Sequence, residues 1–348
     1  MLVVSCDIFN PPGEVIEHNL LVAYKNKGNE FYLIDYNTYE IEPKILQNSD
    51  SLSFVKMFTS TNNDYLIFIA QDTSNMGFVV CYDISKDSID NIFPLHLQYV
   101  RPASTIAAHL STNPGLFYLY SPNIGMYSVD YITEKVNLVS TEKYTYRDYF
   151  AFPNNKWIMI FKEIPSNEYS YSYSELEFYK VNSKLQRIDF VLNKNDVDSI
   201  AVNDMIYSEK DDKLFLSYLT SQRKDVFEKA YFGSYDMTTL KFDTSHVVLP
   251  WSNNPYYIAY SSDRDECYMC GASSTFYIIG LDSTKYYIKD TVELIGKISS
   301  PSRIAVRPDH RMAFVSCYNN NLVYVVDLET KQVHTTISID TPYQLVFI

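Results

Sequence analysis

A chain of 348 residues that is 46% hydrophobic and 20% charged has the composition of a globular protein and not of a disordered one. Its formal net charge of −13 repels phosphate backbones and acidic lipid surfaces, so neither nucleic acid nor a membrane surface is an expected partner. With 32 Tyr, 20 Phe and 9 Gly, the chain is rich in strand formers and poor in the usual turn residue, which leaves Asn, Asp and Ser to supply most turns.

In chain order, Leu20–Tyr24 and Phe31–Tyr36 read as strands with no partner strand directly ahead of them. Short strands that open a unit are expected at Leu52–Phe58, Thr105–Leu110, Tyr149–Phe152, Ser199–Met205 and Tyr256–Tyr260. Each is followed by a second apolar run, at Tyr65–Ala70, Leu116–Tyr120, Trp157–Phe161, Leu214–Leu219 and Cys267–Gly271. The last unit is the clearest. Arg303–Arg307 reads as its inner strand, Met312–Tyr318 as the second and Asn319-Asn320-Asn321 as a hairpin turn. Leu322–Leu328 is a third strand apolar enough to be buried on both faces, and Val333–Ile339 alternates as a half-exposed edge does.

A signature recurs where third strands end. It reads Asp35-Tyr36-Asn37-Thr38, Asp83-Ile84-Ser85-Lys86, Asp130-Tyr131-Ile132-Thr133, Lys180-Val181-Asn182-Ser183, Asp236-Met237-Thr238-Thr239, Gly280-Leu281-Asp282-Ser283 and Asp327-Leu328-Glu329-Thr330. Its period falls within about 40–50 residues for most repeats, the length of one propeller blade. The Asp carboxylate is expected to bind amides of the following turn. The expectation is therefore an all-β chain: a single domain over 1–348, a seven-bladed β-propeller of four-stranded antiparallel blades. The C-terminal Tyr343–Ile348 has no blade of its own and is expected to complete the first blade and close the ring. Leu2–Cys6 is the alternative occupant of that slot.

The last unit resembles the YVTN repeat of bacterial and archaeal seven-bladed propellers. The matching residues are Ile304–Asp309, Val323-Tyr-Val-Val-Asp327-Leu-Glu-Thr-Lys331 and Ile337–Ile339. Tyr256-Tyr257 and the Arg223-Lys224-Asp225 hairpin are loosely similar to the β chain of quinohemoprotein amine dehydrogenases. That resemblance implies a propeller packed over a quinone-bearing subunit, with haem and quinone held by partner subunits. The chain has no Cys-x-x-Cys-His motif for attached haem, and no cofactor is expected. The N-terminal stretch lacks the basic segment of an export signal, and five cysteines do not suggest a disulfide framework, so a cytoplasmic setting is expected.

Candidate chemistry is sparse. Cys267-Tyr-Met-Cys270 falls on an expected strand, where positions i and i+3 face opposite sides, and it reads as two small buried residues rather than a redox or zinc motif. His18, His96, His109, His246, His310 and His334 have no metal-binding spacing, so no metal is expected. No Gly-x-Ser-x-Gly elbow or phosphate loop is present.

Four inner strands are led in by Pro: Pro102, Pro255, Pro301 and Pro342. In a propeller, the residues just past each Pro ring one mouth of the central channel. Ser104, Tyr257, Arg303 and Gln344 are the ligand-binding candidates there, with Tyr146 and Arg147 in the comparable place of another unit. Two long hairpins, Lys162–Ser174 and Ser221–Lys229, should rise on the same mouth, and Tyr169, Tyr171 and Tyr173 of the first suit a protein partner. The expected function is a non-catalytic module binding a protein or small-molecule ligand at that mouth. The alternative is an enzyme or enzyme subunit with its centre there, of the amine-dehydrogenase type or a propeller lyase or lactonase.

Overall fold

The structure is a computed structural model. It describes residues 19–25, 28–45, 51–60, 63–98, 115–121, 125–140, 146–151, 157–164, 173–180, 186–189, 199–221, 229–239, 241–250, 255–271, 273–282, 285–294 and 301–348. Runs rich in Val, Ile, Tyr and Phe form the strands, which pair antiparallel.

The described strands form seven sheets. The first has the order β27 (Pro342–Phe347), β1 (Leu20–Lys25), β2 (Glu30–Asp35) and β3 (Ile41–Ile45). The second is β4 (Ser53–Thr59), β5 (Tyr65–Gln71), β6 (Met76–Asp83) and β7 (Ser88–Gln98). The third holds β8 (Leu116–Ser121), β9 (Gly125–Asp130) and β10 (Lys135–Ser140). The fourth is β11 (Tyr146–Ala151), β12 (Trp157–Ile164), β13 (Tyr173–Lys180) and β14 (Gln186–Asp189). The fifth is β15 (Ser199–Ser208), β16 (Lys213–Ser221), β17 (Lys229–Asp236) and β18 (Lys241–Leu249). The sixth is β19 (Pro255–Ser261), β20 (Glu266–Gly271), β21 (Thr275–Leu281) and β22 (Tyr286–Glu293). The seventh is β23 (Pro301–Val306), β24 (Met312–Cys317), β25 (Leu322–Asp327) and β26 (Gln332–Ser338).

Two compact units divide the chain: Met1–Phe161 with Glu177–Asp189 and Val346–Ile348, and Lys162–Leu176 with Phe190–Leu345. In the first, a core joins the second and third sheets through Ile67, Ile69, Val79, Phe93, Phe117 and Val129. In the second, one core joins the fifth and sixth sheets through Phe215, Phe232, Met269 and Ile279, and another joins the sixth and seventh through Tyr268, Phe276, Val315 and Val326. The middle strands are therefore covered on both faces, as β25 shows with four consecutive buried residues. The fourth strands alternate, as β26 does, because only one of their faces meets a neighbour.

The signature aspartates cap the turns after third strands. Asp327 Oδ1 accepts from the amides of Glu329 and Thr330, both at 2.8 Å. Asp35 does the same with Asn37 and Thr38, Asp130 with Ile132 and Thr133, and Asp236 with Thr239. The sixth repeat carries Gly280 instead, against which the Tyr287 ring packs: a Cβ there would lie 2.6 Å from Tyr287 Cζ. Among the described residues, those other than Gly with positive φ are mainly Asn, Asp and His and include no Ser, and the one-turn positions after Asp35, Asp130 and Asp327 fall to Tyr39, Glu134 and Lys331.

Three expectations are corrected. Asn319–Asn321 is not a plain hairpin turn: Tyr318–Asn320 forms one turn of 3₁₀ helix that Asn321 ends in the left-handed region. The hairpin expected over Lys162–Ser174 is shorter, because β12 runs to Ile164 and β13 begins at Tyr173. The strand expected at Tyr149–Phe152 begins earlier, so Tyr146 and Arg147 are its first two residues rather than part of the loop ahead. The strand expected at Thr105–Leu110 and the slot considered for Leu2–Cys6 lie outside the described residues. The C-terminal strand does pair with β1, with amide–carbonyl bonds between Leu20 and Ile348 in both directions, at 3.0 and 3.5 Å.

Candidate functional site

The inner strands share a device that periodicity alone did not reveal. Each of β15, β19 and β23 carries a β-bulge, near the start of β19 and β23 and midway along β15, where two residues face one on the second strand. The residue after the bulge pairs with a small residue of the second strand: Asp204 with Ser217, Tyr257 with Cys270, and Arg303 with Ser316. The hydroxyls of Ser217 and Ser316 donate to the carbonyls of Asp204 and Arg303, at 3.4 and 3.5 Å. β4 in the first unit has the same bulge, with Lys56 after it. Bulges re-aim side chains, so Asp204, Tyr257 and Arg303 occupy one structural position on three successive inner strands of the second unit.

These positions are physically joined. Asp204 Oδ2 accepts from the Ile258 amide at 3.0 Å, which ties β15 to β19. The Arg303 guanidinium lies 4.5 Å from the centre of the Tyr257 ring, which ties β19 to β23 by a cation–π contact worth about 0.5–2 kcal/mol. The Ser316 hydroxyl also reaches the Tyr343 carbonyl at 3.3 Å, which ties β24 to the start of β27. Burial pushes the Tyr257 phenol up to about 12 against the opposing pull of Arg303, so it is neutral at physiological pH. Both Tyr257 and Arg303 keep part of their surface exposed.

Of the residues expected from sequence, the structure thus brings Tyr257 and Arg303 together. Gln344 is the third residue of β27, the place that Tyr257 and Arg303 hold in β19 and β23, and it is half-buried beside Tyr343. Tyr146 and Arg147 open β11 and Tyr173 opens β13, while Ser104, Tyr169 and Tyr171 lie outside the described residues. Asp204 was missed. The signal that finds it is the second-strand pattern of apolar, aromatic, apolar, small: Leu214-Phe-Leu-Ser217, Cys267-Tyr-Met-Cys270 and Ala313-Phe-Val-Ser316. Aligning these places Asp204 beside Tyr257 and Arg303.

The same alignment accounts for Cys267-x-x-Cys270. Cys267 packs in the core between the fifth and sixth sheets and Cys270 in that between the sixth and seventh, so the two thiols face opposite ways. Burial raises both thiols far above the ordinary range. Among the described residues, no group of three or more His, Cys, Asp or Glu could hold a metal.

The other end of these sheets carries two polar clusters. Glu266, 2% exposed, accepts from Arg264 at 3.0 Å, Lys289 at 2.6 Å and Tyr268 at 2.7 Å, and Arg264 also reaches the Leu328 carbonyl. Burial acts to raise the Glu266 carboxyl, but these donors prevail and hold it below the usual glutamate range. Ser261 lies 2.8 Å from His310 Nδ1, and Asp263 lies 3.6 Å from Nε2. The residue types are those of a hydrolytic triad but the burial is reversed, with Ser261 fully buried and the Asp263 side chain 72% exposed. A nucleophile must meet substrate, so this set ties two turns together and is no catalytic centre.

No family profile and no curated protein sequence matches the chain. Solved structures do match it. The β-propeller domain of Cps50 (Swd1) from Myceliophteria thermophila is similar at a TM-score of 0.60 and 10% identity, covering 82% of this chain and 86% of that one. The fold is a β-propeller. Apo AztD from Citrobacter koseri is similar at 0.62 and 10% identity over 94% and 97% of the two chains. The dihydro-heme d1 dehydrogenase NirN, in complex with DHE, is similar at 0.61 and 11% identity over 97% and 76%. At such identities the likeness shows the fold alone, and it spans both an enzyme and proteins not described as enzymes.

Proposed function

We propose that this β-propeller is a binding module whose small-molecule or protein ligand seats where the inner strands begin, on Arg303, Tyr257 and Gln344. The observation that carries the reading is the Arg303–Tyr257 cation–π contact, built from two post-bulge positions on adjacent sheets. The repeat itself does not require it, since the same position holds Asp204 in one sheet and Lys56 in another. A guanidinium held at such a place is of the type that recognises a carboxylate.

In this reading the seven sheets are seven blades of a YVTN-like ring, closed where β27 pairs with β1, and the inner-strand starts line one mouth of its channel. We further propose Ser104, Tyr146 and Arg147 as ligand-binding residues and Tyr169, Tyr171 and Tyr173 as contacts to a protein partner. The four described cysteines, all buried and unbridged, suit a cytoplasmic protein. The enzymatic alternative would need acid–base groups beside Arg303. The polar set with triad-like residue types instead lies at the opposite end and hides its serine.

Equilibrium dialysis of the wild-type chain, Arg303→Ala and Lys331→Ala against a metabolite extract tests the reading. A species enriched by the wild type and Lys331→Ala but not by Arg303→Ala is expected. Enrichment that ignores Arg303, or turnover of the species, would overturn it.

A further inference from the structure

We infer that the left-handed residue closing a signature turn is a clasp onto the preceding sheet, and that salt loosens the ionic clasps selectively. Asp87, Glu134 and Lys331 follow Asp83, Asp130 and Asp327 by one turn, with φ of 51°, 57° and 58°. Gly suits that conformation without cost and Asn or Asp tolerate it, whereas Glu and Lys meet a steric penalty there. The turn alone does not call for Glu134 or Lys331, since Asp130 and Asp327 already cap it. What the side chains touch supplies the reason.

Each reaches the fourth strand of the sheet before its own. Lys331 Nζ lies 2.6 Å from Asp290 Oδ2 on β22. Glu134 Oε1 accepts from Asn91 Nδ2 on β7 at 2.6 Å. Asp87 Oδ2 accepts from Lys44 Nζ on β3 at 2.6 Å, and the same ammonium lies 2.7 Å from Glu42 Oε1. The partners are equivalent in register: Asp290 faces Ile278, Asn91 faces Cys81 and Glu42 faces Leu33, in each case the residue two before the signature position. One pair of positions thus recurs at three sheet junctions. It is filled by acid and lysine, by amide and acid, or by two acids with Lys44 between them. The carboxylates are held in place as well. Asp290 Oδ1 accepts the Thr291 amide at 2.8 Å, and Asp87 Oδ1 accepts the Tyr82 hydroxyl.

The chemistry of each clasp sets its response to salt. The Lys44–Asp87 and Lys331–Asp290 clasps are ion pairs on partly exposed side chains, which salt screens. The Asn91–Glu134 clasp joins a neutral amide to a carboxylate, which salt screens far less.

The test is hydrogen–deuterium exchange of the wild-type chain at low salt and in about 1 M sodium chloride, where the screening length falls to about 3 Å, beside Lys331→Gly, Asp87→Gly and Glu134→Gly. Gly relieves the left-handed backbone, so these variants lose the clasp without straining the turn. At low salt each should exchange about 2- to 5-fold faster than the wild type in the fourth strand that it no longer holds, β22, β3 and β7 in turn, as the worth of a partly exposed pair allows. High salt should speed β3 and β22 of the wild type by a similar factor and leave β7 as it was, and it should add nothing at β22 in Lys331→Gly. Gly variants that exchange no faster than the wild type would show that the side chains only burden the turn, and would overturn the inference. So would a salt effect of one size at all three strands.

Discussion

Asp204 accepts the Ile258 amide hydrogen at 3.0 Å across two sheets, so the bulge of one inner strand is locked to the backbone of the next. The bond does for neighbouring sheets what the ladder does within one. Asp204→Ala removes the acceptor from a partly buried amide and should cost about 1–3 kcal/mol. Asp204→Asn keeps a carbonyl acceptor and should cost less than about 1 kcal/mol. Urea unfolding of both variants measures the difference, and equal losses would mean that the carboxylate acts through its charge and not through this bond.

The signature aspartates link stability to acid. Burial acts to raise the Asp327 carboxyl, but the amides of Thr330 and Glu329 outweigh it and hold the group below the ordinary aspartate value of 3.8. The same net direction holds for Asp35 and Asp236, led by the amides of Thr38 and Thr239. A carboxyl with a lowered folded pKa stabilises the fold above its unfolded value, and that contribution disappears as pH falls through the folded value. Unfolding free energy should therefore be steady near neutrality and drop as pH falls through about 4 and below. Asp327→Ala should cost about 0.5–2 kcal/mol at pH 7 and show a shallower acid limb than the wild type in denaturant titrations.

The described thiols should be inert while the chain is folded. Burial pushes Cys81 and Cys317 up to about 12, and Cys267 and Cys270 higher than the ordinary thiol range. Thiolate is the reactive form, so in a Cys6→Ser background a disulfide reagent should label slowly in native buffer and rapidly in guanidinium. Fast native labelling of Cys267 and Cys270 would contradict their packing on opposite faces of β20.

Removing Tyr343–Ile348 deletes most of β27 and leaves β1 without the partner that meets it at Leu20. The truncated chain should aggregate or melt well below the full one, because an unpaired strand edge exposes backbone and apolar surface together. Coincident melting curves would show that β27 adds nothing to the first sheet.

The repeat was legible because it is written in patterns that local physics enforces. β25 must be apolar throughout, being covered on both faces, and Asp327 must cap the turn that follows. The Tyr257–Arg303 pairing was half legible: Pro255 and Pro301 mark the strand starts, but nothing in either segment says that the two side chains touch. Asp204 has no leading Pro and was hidden. Its place follows from the bulge, which two-residue alternation does not encode and which shows only once Ser217, Cys270 and Ser316 are aligned. The Ser261–His310–Asp263 set shows the converse, since residue types that suggest hydrolysis are disarmed by a burial order that no spacing reveals.

The seat at Arg303 is tested most directly by the dissociation constant of the dialysis ligand for three chains. Lys331 is the control: it sits in the turn between β25 and β26, at the opposite end of the sheet, and its ion pair with Asp290 is partly exposed and worth at most about 1 kcal/mol. Arg303→Ala should weaken binding about 10- to 100-fold, the loss expected of a charge-assisted hydrogen bond, with little change in melting temperature, while Lys331→Ala binds as the wild type does. Equal weakening at both positions, or none at Arg303, would contradict the account and move the functional surface elsewhere.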